Sequence, residues 1–261
     1  MSKQSKYASK YPDQNGRFGY TPAEDAVWAD LFADQVSFLN GRVCDQYFEG
    51  IKALKMDPIR VPQIADIDAA MMRRSKFGVE GVPAIIPPAK FFDLLSRRKF
   101  PVATFIRTRE DIKYIEEPDI FHEVFGHCPM LTNPDFADFV EKFGKLAVAL
   151  GKGYSWRLFR LFWFTVEFGL IKTPEGLRGY GAGIASSPSE AAFATGGTAE
   201  ILDFDIMTIL RTPYRIDIVQ PVYFAIESFE QLSASLDQDI AFMIDRAKEM
   251  GDLPPRFEKA A

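Results

Sequence analysis

The chain has two histidines in 261 residues, and both stand in one stretch, Pro118-Asp119-Ile120-Phe121-His122-Glu123-Val124-Phe125-Gly126-His127. Imidazole is the commonest metal ligand at neutral pH, so the pair raises the question of a metal. In a regular helix, residues five apart differ by roughly 140° in direction, which is poor for two ligands of one ion. The spacing becomes workable if the helix stops between them. Gly126 is the expected stop, because glycine accepts the left-handed conformation that closes helices. Glu123 points about 100° away from His122, which suits a carboxylate facing a substrate better than a ligand. The pattern is not the H-E-x-x-H of zinc proteases.

A third ligand is sought among the acids. Residues 155–169 are expected to form one helix, apolar on nearly every side and therefore central, and its one acid is Glu167. A buried carboxylate is costly unless paired or bound to a cation. An arginine partner is one reading; ligation beside His122 and His127 is the other. Two imidazoles and one carboxylate on one face of an ion leave three positions open, as in non-heme iron(II) oxygenases. Zinc hydrolases use the same ligand types, so residue types alone leave both metals open. A helical binding module without catalysis is the third reading.

The elements that must position these residues read mostly as helix. Thr21-Pro22-Ala23-Glu24 is a capping box with proline at the first helical position, opening a helix to about Asn40 with Val27, Trp28, Leu31, Phe32, Val36 and Leu39 on one face. Further helices are expected at 43–56, 66–76, from Pro88, at 117–126, from an Asn133 cap, from a second capping box at Ser187-Pro188-Ser189-Glu190, at 201–210 and, as one long amphipathic element, at 227–250. Strands are expected at 100–108 and 216–222, and 82–88 reads as a short strand or extended loop. Residues 176–183 are read as a turn and short strand close to the site. The sum is a predominantly α fold with a few short strands: a loosely held segment 1–18, one domain 19–250 and a tail 251–261.

Composition bounds the function. With 47% hydrophobic and 26% charged residues the chain can bury a proper core. A net charge of −5 argues against nucleic acid or an anionic membrane as partner. Two cysteines, Cys44 and Cys128, give no disulfide framework and suit a cytoplasmic protein. Nothing resembles a signal peptide or a membrane span.

Three motifs together carry a resemblance: the stretch from Pro118 to His127, then Trp163-Phe164-Thr165-Val166-Glu167-Phe168-Gly169, then Tyr180-Gly181-Ala182-Gly183-Ile184. In this order and spacing they resemble the pterin-dependent aromatic amino acid hydroxylases, over about residues 80–230. The resemblance implies a catalytic domain of that type. It implies a monooxygenase that uses iron(II), a tetrahydropterin and O2 to convert L-phenylalanine to L-tyrosine, with pterin-recycling enzymes as functional partners. His122, His127 and Glu167 would carry the iron. Phe91, Glu123 and Ile86 would meet the pterin. Arg107 would clamp the substrate carboxylate, and Tyr114, Pro118 and Trp163 would form the substrate pocket with Ser186, which matches a serine beside a ligand histidine. Trp163 and Ile216 would set specificity, favouring phenylalanine over tryptophan and tyrosine; a preference for either of those is the competing outcome. Phe162 stands where animal members carry tyrosine, and Phe159 and Ile115 also differ from the animal pattern. Their regulatory domain and long tetramerisation helix have no counterpart here, so a monomer or weak oligomer without their allosteric control is expected.

Overall fold

Thr21 opens the first helix as its neighbours require. Its hydroxyl accepts from the Glu24 amide, and the Glu24 carboxylate accepts from the Thr21 amide. The computed structural model describes residues 7–83, 85–113, 115 and 117–258. In it α1 (Pro22–Leu39) is followed by α2 (Asp45–Leu54) and α3 (Ile64–Arg74). Then β1 (Gly78–Val82) pairs in parallel with β2 (Lys99–Ala103), and α4 (Pro88–Ser96) makes the crossover between them. The strand near residue 82 thus precedes the proline-rich segment instead of running through it. β2 also stops five residues short of the expected Thr108. Beyond Ala103 the chain bonds elsewhere: the Arg107 amide donates to the Asp119 carboxylate, and Phe105 O accepts from the Ile120 amide.

A π-helical segment, π1 (Phe121–His127), comes next and runs directly into α5 (Cys128–Leu131). Gly126 therefore does not end the helix. Asn133 caps α6 (Pro134–Leu150) by accepting from two amides. Gly144 lets α6 lie directly on α4; a Cβ there would stand 2.4 Å from the Ser96 nitrogen. The helix expected over 155–169 is two elements in line, α7 (Ser155–Phe162) and a second π segment, π2 (Trp163–Glu167).

The remainder forms β3 (Leu170–Thr173), β4 (Gly176–Gly179), α8 (Ala182–Ala185), α9 (Pro188–Thr195), β5 (Glu200–Asp203), α10 (Ile206–Arg211), β6 (Val222–Ile226), α11 (Phe229–Ala234) and α12 (Ile240–Met250). The second sheet has the order β4-β3-β6-β5. Its central β6 is buried at every position, as parallel strands covered on both faces are. Four expectations are corrected here. The first half of 201–210 is strand, because 200–203 pair with β6. Ile216 lies in an exposed bend, and the strand begins only at Val222. The long helix 227–250 is broken at Gln238, and Asp239 caps a fresh start by accepting from the Phe242 amide. Ser187 caps α9, but the Glu190 side chain does not return to complete a box; it is buried against β6.

Predominantly helical with six short strands among the described residues, the fold matches the expected class. Residues 7–18 lie against the body. The Tyr7 ring stacks on Phe105, and the Lys10 and Phe18 amides donate to Thr104 and Gln63. Asp252, after α12, pairs with Arg157 and Arg160 of α7. Among the described residues no helix is long and apolar enough to cross a membrane.

Candidate metal centre and substrate pocket

The π-helix resolves the spacing of the two histidines. Its hydrogen bonds run from residue i to i+5, so side chains five apart lie nearly one above the other. The extra width strains the carbonyl ladder, and neighbouring side chains satisfy it: Tyr47 donates to Phe125 O at 2.6 Å and Cys128 to Glu123 O at 3.5 Å. In π2 the same closure joins the Phe168 amide to Trp163 O at 2.9 Å. The two segments deliver His122, His127 and Glu167 to one point. The Nε2 atoms of the two imidazoles are 3.2 Å apart; a Glu167 oxygen is 3.1 Å from His127 Nε2, and the other is 3.4 Å from His122 Nε2.

That spacing suits one ion. Donors each about 2.1 Å from a metal stand about 3.0–3.4 Å from one another. Glu123 lies within reach of the same point with both histidines, but at 3.9 Å from His127 it is farther than Glu167. Charge separates the two acids. Burial would raise the Glu167 carboxyl, yet the two imidazoles outweigh it and hold it well below the carboxylate range. Burial pushes Glu123 up to about 8, with His122 opposing and Glu167 and Asp119 adding to the rise. Burial lowers both imidazoles; Glu167 outweighs it at His122, which is raised, and not at His127, which is lowered. The Cys128 thiol is pushed far up by burial, and it donates to Glu123 O.

The ring orientations are fixed from outside. Ser186 Oγ donates to Ala182 O at 2.8 Å and lies 2.8 Å from His122 Nδ1. A hydroxyl has one proton, so it accepts from Nδ1–H, which leaves the Nε2 lone pair turned to the centre. Ser186 is thus the partner of a ligand-type histidine. The Phe100 ring lies 4.4 Å from the His127 ring. Gly181 permits α8 to pass under π2: a Cβ would stand 2.3 Å from Glu167 O.

Around the centre the other expected residues are unevenly placed. Phe91 of α4 is half-buried, with its ring 5.2 Å from Phe162 and 6.4 Å from Phe100. Ile86 is half-buried in the loop that leads into α4. Arg107 is buried, and its Nε and Nη2 donate to the two oxygens of the fully buried Asp119 at 2.9 and 2.8 Å, which leaves Nη1 without a hydrogen bond among the described residues. Trp163 opens π2 and stacks on Tyr214 at 4.5 Å. Pro118 is exposed beside Asp119. Ile216 is 73% exposed and stands apart from the cluster. Tyr114 lies outside the described residues. The sequence alone marks no role for Asp119. It holds Arg107 and also accepts from the His122 amide at 3.1 Å. An acid three residues before a ligand-type histidine was the available signal.

Comparisons with known proteins bear on the family and the fold. The family described as biopterin-dependent aromatic amino acid hydroxylase matches residues 2–250. The phenylalanine-4-hydroxylase of Pseudomonas aeruginosa is 42% identical over 255 residues, covering 98% of this chain and 97% of the relative. The solved phenylalanine hydroxylase of Legionella pneumophila superposes with a TM-score of 0.93 at 42% identity, over 96% of this chain and 100% of that one. That of Chromobacterium violaceum, a structure with bound oxidised Fe(III), superposes at 0.89 with 39% identity, over 96% and 91%. A π-built His-His-Glu centre, a fold shared at this level and a sequence match along almost the whole length place the chain in the biopterin-dependent aromatic amino acid hydroxylase family.

Proposed function

We propose that this protein is an iron(II)- and tetrahydropterin-dependent monooxygenase that converts L-phenylalanine to L-tyrosine with O2. The observation that carries the reading is the convergence of His122 Nε2, His127 Nε2 and a Glu167 oxygen within a chain of this family. These three are the metal ligands in our reading. When bound, iron(II) would supply the site at which O2 is activated and the reduced pterin the two electrons, so that one atom of O2 can reach the ring and the other can leave with the pterin. The chain's residues bind, orient and exclude water. Ser186 keeps the His122 proton on Nδ1 and so keeps Nε2 available. Phe100 and Phe162 cover His127 and limit water at the centre. Phe91 offers its ring to the pterin, with the Glu123 carboxyl and the Ile86 segment beside it. Arg107, locked by Asp119, presents Nη1 to the substrate carboxylate, a charge-assisted bond. Trp163 and Pro118 line the space for the substrate ring, Ile216 acts on specificity through its loop, and Tyr114 keeps only the pocket role that the family resemblance gives it. A zinc hydrolase with the same ligand types is not favoured, since the family is one of hydroxylases.

Both cysteines are free thiols, which supports a cytoplasmic location for a monomer or weak oligomer served by pterin-recycling enzymes. Purified protein should consume oxygen and form tyrosine only when ferrous iron, a tetrahydropterin and phenylalanine are all present; turnover with zinc in place of iron would overturn the reading. In competition at equal concentrations, phenylalanine should have the highest specificity constant. Should tyrosine or tryptophan win, the substrate assignment fails while the iron and pterin chemistry stands. Phe91→Ala should raise the pterin KM more than the phenylalanine KM, since a lost aromatic partner costs on the order of 1 kcal/mol.

A further inference from the structure

The segment between α10 and β6 carries no ladder of its own: outside the helices and strands, residues 213–220 make no backbone–backbone hydrogen bond among the described residues. One buried side chain organises it. Gln220 is 1% exposed. Its amide nitrogen donates to Arg215 O and to Ile218 O, both at 2.9 Å, and its amide oxygen accepts the indole N–H of Trp163 at 2.9 Å. An indole N–H only donates and a carbonyl only accepts, so the amide has one possible orientation and its two protons are both used. The backbone of Gln220 is held in turn. Its N–H donates at 3.1 Å to Glu190 of α9, whose other oxygen accepts from Tyr223 of β6.

Trp163 is stacked on Tyr214 at 4.5 Å, and Phe168 lies tilted against it at 4.7 Å. Stacking resists tilting of a ring but permits sliding in its plane. The directional bond from the indole nitrogen to Gln220 opposes that sliding. The same amide draws the Arg215–Ile218 bend, which carries the exposed Ile216, toward Trp163. Two segments distant in sequence, π2 and this bend, are thus fixed to one another through one side chain.

We propose that Gln220, anchored by Glu190, is a positioning residue for substrate selectivity: it pins Trp163 and the 215–218 bend in mutual register and so sets the space open to the substrate's aromatic ring. The proposal rests on the reading of Trp163 as a pocket wall. It predicts that loss of the clasp loosens discrimination between a benzene ring and the larger indole, without loosening the metal centre or the pterin site.

The test compares wild type, Gln220→Leu, Gln220→Glu, Trp163→Phe and the double variant Gln220→Leu/Trp163→Phe. Each is loaded with ferrous iron and assayed with phenylalanine and tryptophan. Gln220→Leu should lower the phenylalanine-to-tryptophan ratio of specificity constants about tenfold, the scale of one lost buried hydrogen bond. It should raise the phenylalanine KM while the pterin KM and the iron content stay at wild-type values. Gln220→Glu keeps an acceptor for the indole but lacks the two donors. It should shift the ratio in the same direction, and it carries the test if the leucine variant does not fold. In the Trp163→Phe background, which has no N–H to hold, Gln220→Leu should change the ratio far less, a coupling that independent sites do not show. An unchanged ratio in the Gln220 variants overturns the proposal. So does an equal shift in both backgrounds, or a joint loss of iron and pterin affinity. If wild type hydroxylates neither amino acid, the functional reading fails and the proposal with it; turnover by wild type with an unaltered ratio in the variants sinks the proposal alone.

Discussion

Asp119 shows how much one buried carboxylate can be asked to hold. It takes both donors of the Arg107 fork, the Arg107 amide and the His122 amide, so that Arg107 and His122, to which we assign the substrate carboxylate and the metal, share one anchor. Burial would raise its carboxyl, and Arg107 more than offsets this, leaving it below the usual range. Asp119→Ala strands a buried guanidinium and should cost about 3–5 kcal/mol, read as a shift in the denaturant midpoint at pH 7. Glu167→Gln should fold yet retain little iron, measured by metal analysis of the purified chain; a full complement of iron in a folded variant would remove Glu167 from the ligand set. His122, His127 and Glu167 were legible because their types are rare in their surroundings: two histidines in the whole chain, and one acid in an apolar helix. Asp119 and Gln220 were not, because each acts on a partner far along the chain, Arg107 in one case and Trp163 in the other, and no local periodicity marks such a pairing.

At the scale of elements, helices with a clear apolar stripe and a chemical start were readable. The Thr21 box and the Asn133 cap stand where expected. What was not readable is helix type. Gly126 was a reasonable stop on propensity, but tertiary bonds from Tyr47 and Cys128 carry the chain through it in a wider helix. Pairing with β6 likewise makes strand of residues 200–203, where the local pattern suits a helix. The close passage of α8 under π2 gives a sharp expectation. Gly181→Ala would set a Cβ 2.3 Å from Glu167 O. Backbone must move to admit it, at about 1–3 kcal/mol for overpacking. The variant should show a lower thermal midpoint and reduced iron affinity together, because the displaced carbonyl belongs to Glu167, the residue we propose as a ligand. A lowered midpoint with unaltered iron affinity would mean that π2 does not set the ligand.

For the molecule as a whole, the dominance of helix and the single central core were legible from composition and periodicity, whereas the pH response depends on contacts that only the fold creates. Glu190 is the clearest case. Burial raises its carboxyl from 4.5 to about 7, with Tyr223 and the Gln220 amide pulling the other way. The native state then holds a proton across that interval that the unfolded chain has already released. The favourable contribution is complete below about pH 4.5, falls as pH rises through the interval, and is gone above about 7. Glu190→Gln should flatten this part of the stability curve, measured as thermal midpoints from pH 4.5 to 8. Parallel curves for wild type and variant would show that Glu190 does not titrate in that range.

The π turn that unites the histidines has a genetic side. A turn closed from i to i+5 spends one more residue than an α turn, so the centre sits where the reading frame carries one amino acid beyond regular helix. Remove the codon for Val124 and the stretch reads His-Glu-Phe-Gly-His, the four-residue spacing by which zinc proteases present two histidines on one α-helical face. In sequence space the two metal-binding patterns are adjacent, separated by a single in-frame deletion. Lineages that drift through small insertions and deletions, a kind of variation that surface loops absorb freely, would meet at this one helix an abrupt change of ligand set.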